Sequence, residues 1–282
     1  RFPRALFRDH RMTAFVLAGA KVTRRRWPKI QAALEPLFPA MTVVFAGERG
    51  QRATLVREAL RAGHSEILIL GGAINDAING FFDGGGPVSP DSVLGFLGGD
   101  IETAIARMGK STIRAVDVGK IHCLTPDGRP QTRYFLGSAS FGLSGRIVEG
   151  LGRSRIAGLF APRLAVAAHT GAGLLRWRDR PVRLISDNGL DEIATIASVM
   201  LTTRRDSGLF DIYLLPRSRR LFPDMQAIRD GRRLAGVRQA RRLVAAPIAA
   251  TKTPIMVEAD GESLGLLPAT FEILPQALNL RG

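Results

Sequence analysis

The chain has 282 residues, 45% of them hydrophobic and 6% aromatic, with a formal net charge of +15. That is enough apolar material for one large domain or two ordinary ones. A lone cysteine, Cys123, excludes a disulfide framework and argues against a cysteine metal site. The basic residues are mostly arginine, a balance that favours polyanionic partners: nucleic acid, anionic lipid or phosphorylated ligands. Aromatic residues are not interleaved with the basic runs, no zinc pattern occurs, and no single helix carries a basic recognition face. A membrane surface or a phosphate ligand therefore ranks above nucleic acid, which is not expected as a partner. His10, His64, His122 and His169 are scattered without ligand spacing. No apolar run reaches the ~18 residues of a membrane span, and the basic start at residues 1–11 does not read as a secretory signal.

In chain order, Thr13–Leu17 reads as a short strand and Arg24–Phe38 as a helix with Trp27, Ile30, Leu34 and Leu37 on one face. Met41–Phe45 is a second strand, and Gln51–Ala62 a second helix ended by Gly63. Ile67–Leu70 is an uninterrupted apolar run, which suits a strand buried on both faces of a parallel sheet. Gly71-Gly72 breaks the chain, and Ile74, Ile78 and Phe81 then recur at helical spacing over Ile74–Phe82. A strand, a glycine turn and a helix start together make a place where backbone N–H groups can converge on an anion; the same pattern also serves a tight turn needed for packing alone. After a Gly/Pro loop, Val93–Leu97 is a fourth strand and Asp100–Met108 a helix ended by Gly109. This alternation predicts an open, mostly parallel α/β sheet over about the first 120 residues.

The pattern then changes to short strands separated by turn residues: Ile113–Leu124, Arg133–Ser140, Val182–Ser186, Ile193–Thr202, Leu209–Leu215, Arg242–Ala246, Ile255–Ala259 and Thr270–Leu274. A helix is expected at Pro162–Leu175. The fold class is thus α/β plus β: an open α/β domain over residues 1–120, with 275–282 a candidate to rejoin it, and an antiparallel, sandwich-like β domain over 121–274. Within the latter, Arg217–Arg242 holds nine arginines among Leu221, Phe222, Met225, Ile228, Leu234 and Val237. It reads as an amphipathic basic helix with its flanks, either a solvated outer face or a contact for anionic membrane.

Three acidic positions stand beside glycine turns: Gly98-Gly99-Asp100, Asp206-Ser207-Gly208 and Asp260-Gly261-Glu262. Asp-Gly pairs are ordinary turn formers. If strand geometry continues from Ile255–Ala259 through Glu262, however, Asp260 and Glu262 point the same way. Two carboxylates on one face suit a magnesium ion, or one of them suits proton abstraction from a hydroxyl. The alternative is a hairpin turn with a solvated Glu262.

Several segments together resemble the diacylglycerol-kinase catalytic family, the soluble lipid kinases that include bacterial diacylglycerol kinases and sphingosine kinases. They are residues 50–63, the stretch from Leu68-Ile69-Leu70-Gly71-Gly72 to Phe82, residues 93–109, 116–120, 134–145 and 207–215, and the ending Asp260–Leu278, read DGESLGLLPATFEILPQAL. NAD kinases share the double-glycine turn but not this ending. The resemblance implies two domains with ATP and lipid between them, and transfer of the γ-phosphoryl group of ATP, with Mg2+, to a lipid hydroxyl. It implies Gly71, Gly72 and Asn75, with Gly98, Gly99 and Asp100, on the nucleotide side. It implies Asp260 as general base, and Glu262 and Asp206 as magnesium or water-network ligands. It also implies a cytoplasmic protein, peripheral at the inner face of the membrane; a homodimer is compatible.

The chain departs from the family at its ligand loops. Gly72 passes straight to Ala73-Ile74-Asn75, Leu97-Gly98-Gly99-Asp100 is about four residues short of the family's loop, Ser207 stands where many relatives carry a second aspartate, and Gly137 stands where asparagine is common. A catalytically degenerate membrane-associated protein, or a soluble kinase of the NAD-kinase type, are the alternatives.

Overall fold

A computed structural model describes residues 13–19, 22, 24–45, 51–71, 74–83, 86–98, 100–145, 179–203, 207–218, 220–248 and 254–281. The helix expected at Pro162–Leu175, and the positions Gly72, Gly99 and Asp206, lie outside them. The chain forms two compact units: Arg1–Val116 with Ala277–Gly282, and Asp117–Gln276.

The first unit alternates strand and helix. Its elements are β1 (Thr13–Ala18), α1 (Trp27–Leu34), β2 (Ala40–Phe45), α2 (Arg52–Arg61), β3 (Glu66–Leu70), α3 (Ile74–Phe81), a small hairpin of β4 (Phe82–Asp83) and β5 (Gly86–Pro87), β6 (Val93–Leu97) and α4 (Ile101–Met108). The strands run parallel in the order β2-β1-β3-β6. The end of the last strand of the chain, Asn279–Arg281, adds in parallel beside β6. Every residue of β3 is buried, as its unbroken apolar run requires of a strand covered on both faces. Val16, Leu68 and Leu70 pack with Ile30 and Leu34 of α1 and with Ile101, Ile105 and Met108 of α4. Helix α1 is shorter than the expected Arg24–Phe38. Pro28 sits in its first turn, where a missing N–H costs nothing, and Arg24–Arg26 form a turn ahead of it.

The second unit is built from β7 (Ile113–Leu124), β8 (Pro130–Phe135), β9 (Ser138–Gly142), β10 (Arg180–Ser186), β11 (Asp191–Ile196), β12 (Ser198–Thr203), β13 (Phe210–Leu215), a helix at Leu221–Arg229, β14 (Arg238–Ala240), β15 (Arg242–Pro247), β16 (Met256–Ala259) and β17 (Glu262–Arg281), whose end crosses into the first unit. Neighbours in β14-β13-β12-β9-β16-β17 pair antiparallel, as do β15 with β17, β10 with β15 and β11, and β7 with β8. Phe135, Phe141, Phe210 and Phe271 anchor the core of this unit. Overall the architecture is mixed α/β with a β-rich C-terminal part.

Four expected elements are corrected. Arg133–Ser140 is two strands, because the Leu136–Ser138 amides turn away to a side chain described below. Ile193–Thr202 divides at Ala197, where the chain leaves β10 as partner and joins β9 and β13. Thr270–Leu274 is the middle of a 20-residue strand that pairs in turn with β16, β15 and β6. Pro268 and Pro275 lie outside the stretches paired with β16, β15 and β6, and the strand also pairs with β7. Finally, the Arg217–Arg242 segment is helical only over Leu221–Arg229. Its apolar side, Leu221, Met225 and Ile228, is buried against Leu143, Met200, Tyr213 and Leu215.

Candidate functional site

In the first unit the sheet order reverses direction at β1, whose neighbours are β2 and β3. Ligands of open α/β sheets gather at the carboxyl ends of the strands at such a switch point. Gly19 follows β1 and Gly71 follows β3. The Gly19 N–H donates to the Leu70 carbonyl at 2.8 Å, and the Gly71 N–H to the Leu97 carbonyl at 3.0 Å. A Cβ on Gly19 would stand 2.9 Å from the Leu70 oxygen, and Gly71 has φ +76°, so both positions demand glycine. Of the expected nucleotide residues, Gly71 and Gly98 lie at the carboxyl ends of β3 and β6, Asn75 in the first turn of α3, and Asp100 at the N-cap of α4. The Asp100 carboxylate accepts the Thr103 hydroxyl, so its visible role is at the helix end. The amide-rich starts of α3 and α4 thus follow the ends of β3 and β6, an arrangement that favours anionic groups.

In the second unit, Asp260 and Gly261 are the two central residues of the β16–β17 hairpin, with Ala259 opposite Glu262. Both have positive φ, 47° and 80°, the signature of a type I′ turn, in which Asp-Gly is a favoured pair. Extended geometry therefore does not continue through Glu262, and the expected alternation there is replaced by a turn. The turn sends the Asp260 carboxylate back onto the β8–β9 connection. Its Oδ2 accepts the Leu136 N–H at 2.9 Å, and its Oδ1 accepts the N–H groups of Gly137 at 3.0 Å and Ser138 at 2.8 Å. A Cβ at Gly137 would approach Oδ1 to 2.7 Å, so glycine at this position is what lets the amide reach the carboxylate. The Thr203 hydroxyl closes the same turn by donating to the Leu136 carbonyl. Burial raises the Asp260 pKa above its ordinary value, the three amides oppose that rise, and the charge of Glu262 adds to it. A carboxylate has about four acceptor sites. Among the described residues, three donors reach it: two on Oδ1 and one on Oδ2.

No group of three or more histidine, cysteine or acidic side chains among the described residues is arranged to hold a metal ion. Glu262, at the start of β17, supplies a hard oxygen donor by itself.

Two further buried carboxylates of this unit, Asp117 and Glu258, carry no signal in the sequence pattern. Asp117, 2% exposed, accepts the Gly208 N–H at 2.7 Å and the Gln276 N–H at 3.0 Å, so it fixes the turn that follows Asp206. Glu258 is wholly buried and pairs with Arg229 at 2.8 Å. The basic segment also spends other charges internally: Arg220 on Asp224, Arg233 on Asp211 and Arg238 on Glu192.

Residues 172–282 match the family described as YegS C-terminal NAD kinase beta sandwich-like domain. In fold, the chain is similar to a structure described as a diacylglycerol kinase from Bacillus anthracis str. Sterne, with TM-score 0.69 and 16% identity over 96% of each chain. It is also similar to yeast NADH kinase complexed with NADH, with TM-score 0.52 and 10% identity over 95% of this chain and 82% of that one. No individually curated protein matches the chain in sequence.

Proposed function

From the diacylglycerol-kinase-like family that the domain match and the whole-chain likeness support, we propose that this chain is an ATP- and magnesium-dependent lipid kinase acting on a diacylglycerol-like hydroxyl. The observation that carries the reading is the Asp260 corner. A general base needs a fixed position, a free lone pair and a proton affinity above that of an ordinary carboxylate. Three backbone amides fix Asp260, the described residues place one donor on Oδ2 against two on Oδ1, and burial raises its proton affinity. In this reading Asp260 takes the proton of the lipid hydroxyl as its oxygen attacks the γ-phosphorus, and ADP leaves. The glycine ends of β1, β3 and β6 and the starts of α3 and α4 receive the phosphates. Phosphoryl transfer asks the protein mainly for positioning and charge neutralisation, which these groups suit. Magnesium bound to the triphosphate would neutralise its charge, with Glu262 and Asp206 as its protein oxygens.

The basic segment is the proposed contact with anionic lipid. With Arg220, Arg229, Arg233 and Arg238 engaged internally, exposed Arg232, Arg241 and Arg242 are the positions assigned to headgroups. Each contributes about 1 kcal/mol near an anionic surface. Among the described residues no helix is long and apolar enough to cross a membrane. The likeness to yeast NADH kinase favours one other reading, a kinase with a soluble nucleotide acceptor. Incubation with ATP and magnesium, offering diacylglycerol vesicles and NAD side by side, separates the two: phosphate on lipid supports the proposal, and phosphate on NAD supports the alternative.

A further inference from the structure

Glu258 occupies a position in β16 where an apolar residue would be the ordinary choice. It is 0% exposed, and its neighbours Val257 and Ala259 belong to the core. A buried carboxylate is costly unless it is paired and hydrogen-bonded, and here three elements supply its partners. Oε1 accepts the Ser140 hydroxyl from β9 and Arg229 Nη2 from the end of the basic helix at 2.8 Å. Oε2 accepts the Gly261 N–H at 3.1 Å. The last bond matters most for the corner. The Gly261 N–H belongs to the peptide that joins Asp260 to Gly261, so Glu258 sets the tilt of that peptide. Asp260 has φ +47°, a conformation that non-glycine residues hold only when their surroundings impose it. The hairpin pairing alone does not require the Gly261 N–H to be bound on this side.

We infer that Glu258 is a positioning residue for Asp260: it fixes the Asp260–Gly261 peptide, and Arg229 holds Glu258, tying the basic helix to the corner. The kinetic consequence rests on the reading of Asp260 as general base; the conformational consequence does not. Two variants of the full chain test it. Arg229→Met/Glu258→Met removes both charges together, so no ion is left buried alone. Glu258→Gln keeps the shape and one acceptor. Amide hydrogen exchange at Leu136, Gly137 and Ser138 reports whether the Asp260 carboxylate still caps them.

In the double variant, exchange at these three amides is expected to be about tenfold faster while β12–β13 amides are unchanged. The kcat for lipid phosphorylation is expected to fall about tenfold or more at unchanged KM for ATP. Glu258→Gln should fall between the wild type and the double variant in both readings. Wild-type exchange at 136–138 in a folded double variant overturns the inference, because Glu258 would then serve stability alone. If the double variant does not fold, wild-type exchange in Glu258→Gln overturns it equally. If the unaltered protein phosphorylates no lipid, the catalytic reading fails, and the exchange data decide the inference by themselves.

Discussion

Asp260 combines two opposed influences, enclosure that favours its protonated form and three amides that favour the carboxylate. In its proposed role as general base it must be ionised. The rate of lipid phosphorylation should therefore be full above its pKa and decline as pH falls through it. Because burial, and then Glu262, raise that pKa, the acid limb of kcat should lie above the ~3.9 of an unperturbed aspartate. Asp260→Asn should lower kcat by about 10²–10⁴-fold and abolish that limb while the melting temperature shows a folded protein. Gly137→Ala tests the same geometry from the other side. Its methyl would press on Oδ1, so activity should drop and the 136–138 amides should lose protection.

The DGE corner stood out in the sequence because two carboxylates, Asp260 and Glu262, stand two residues apart beside the Ile255–Ala259 run, at the start of the family-like ending. Glu258 and Asp117 did not. Apart from Gly261, three residues from Glu258, their partners lie 29 to 159 residues away in the chain, and local pattern carries no record of such distant pairs.

At the level of elements, hydrophobic periodicity located β6 and β7 with the bounds the structure shows, and placed β1, β3, α2 and α3 to within a residue at each end. It failed where a strand changes partners, at Ala197 and along β17, since period-two alternation carries no record of which neighbour is paired. It also overextended the basic segment. Leu234 and Val237 are apolar at helical spacing, but Gly231, with φ +83°, has already ended the helix.

The end of β17 makes a separate prediction. Arg281 donates Nε to Glu66 Oε1 at 2.7 Å, and its Nη2 engages the same oxygen. Burial raises the Glu66 pKa, while the Arg281 hydrogen bond and charge restrain the rise. Arg281→Met would leave a buried carboxylate unpaired, costing about 3–5 kcal/mol. The folded-state pKa of Glu66 would rise further, so the loss should be largest at pH 8 and shrink as pH falls and the folded protein takes up the proton. Thermal melts of both proteins at pH 5 and pH 8 check the sign; an equal loss at both would remove the electrostatic explanation.

For the molecule as a whole, the charge of +15 belongs largely to arginine, and part of it is bound within the fold. Attraction to membranes should rest on the exposed remainder and be screened accordingly. Co-sedimentation with anionic vesicles is expected to fall steeply between low and physiological salt, and Arg232→Gln/Arg241→Gln/Arg242→Gln should weaken it further. Equal binding to neutral vesicles would count against this surface.

In the proposed reaction a phosphoryl group passes from ATP to a lipid alcohol whose proton Asp260 takes. The direct measurement supplies ATP labelled in its γ-phosphate, with magnesium, to the full chain in mixed vesicles containing diacylglycerol. Label is expected in the organic phase with the unaltered chain and almost none with Asp260→Asn. Label confined to ATP and water-soluble products, or equal lipid labelling by the two proteins, would contradict it.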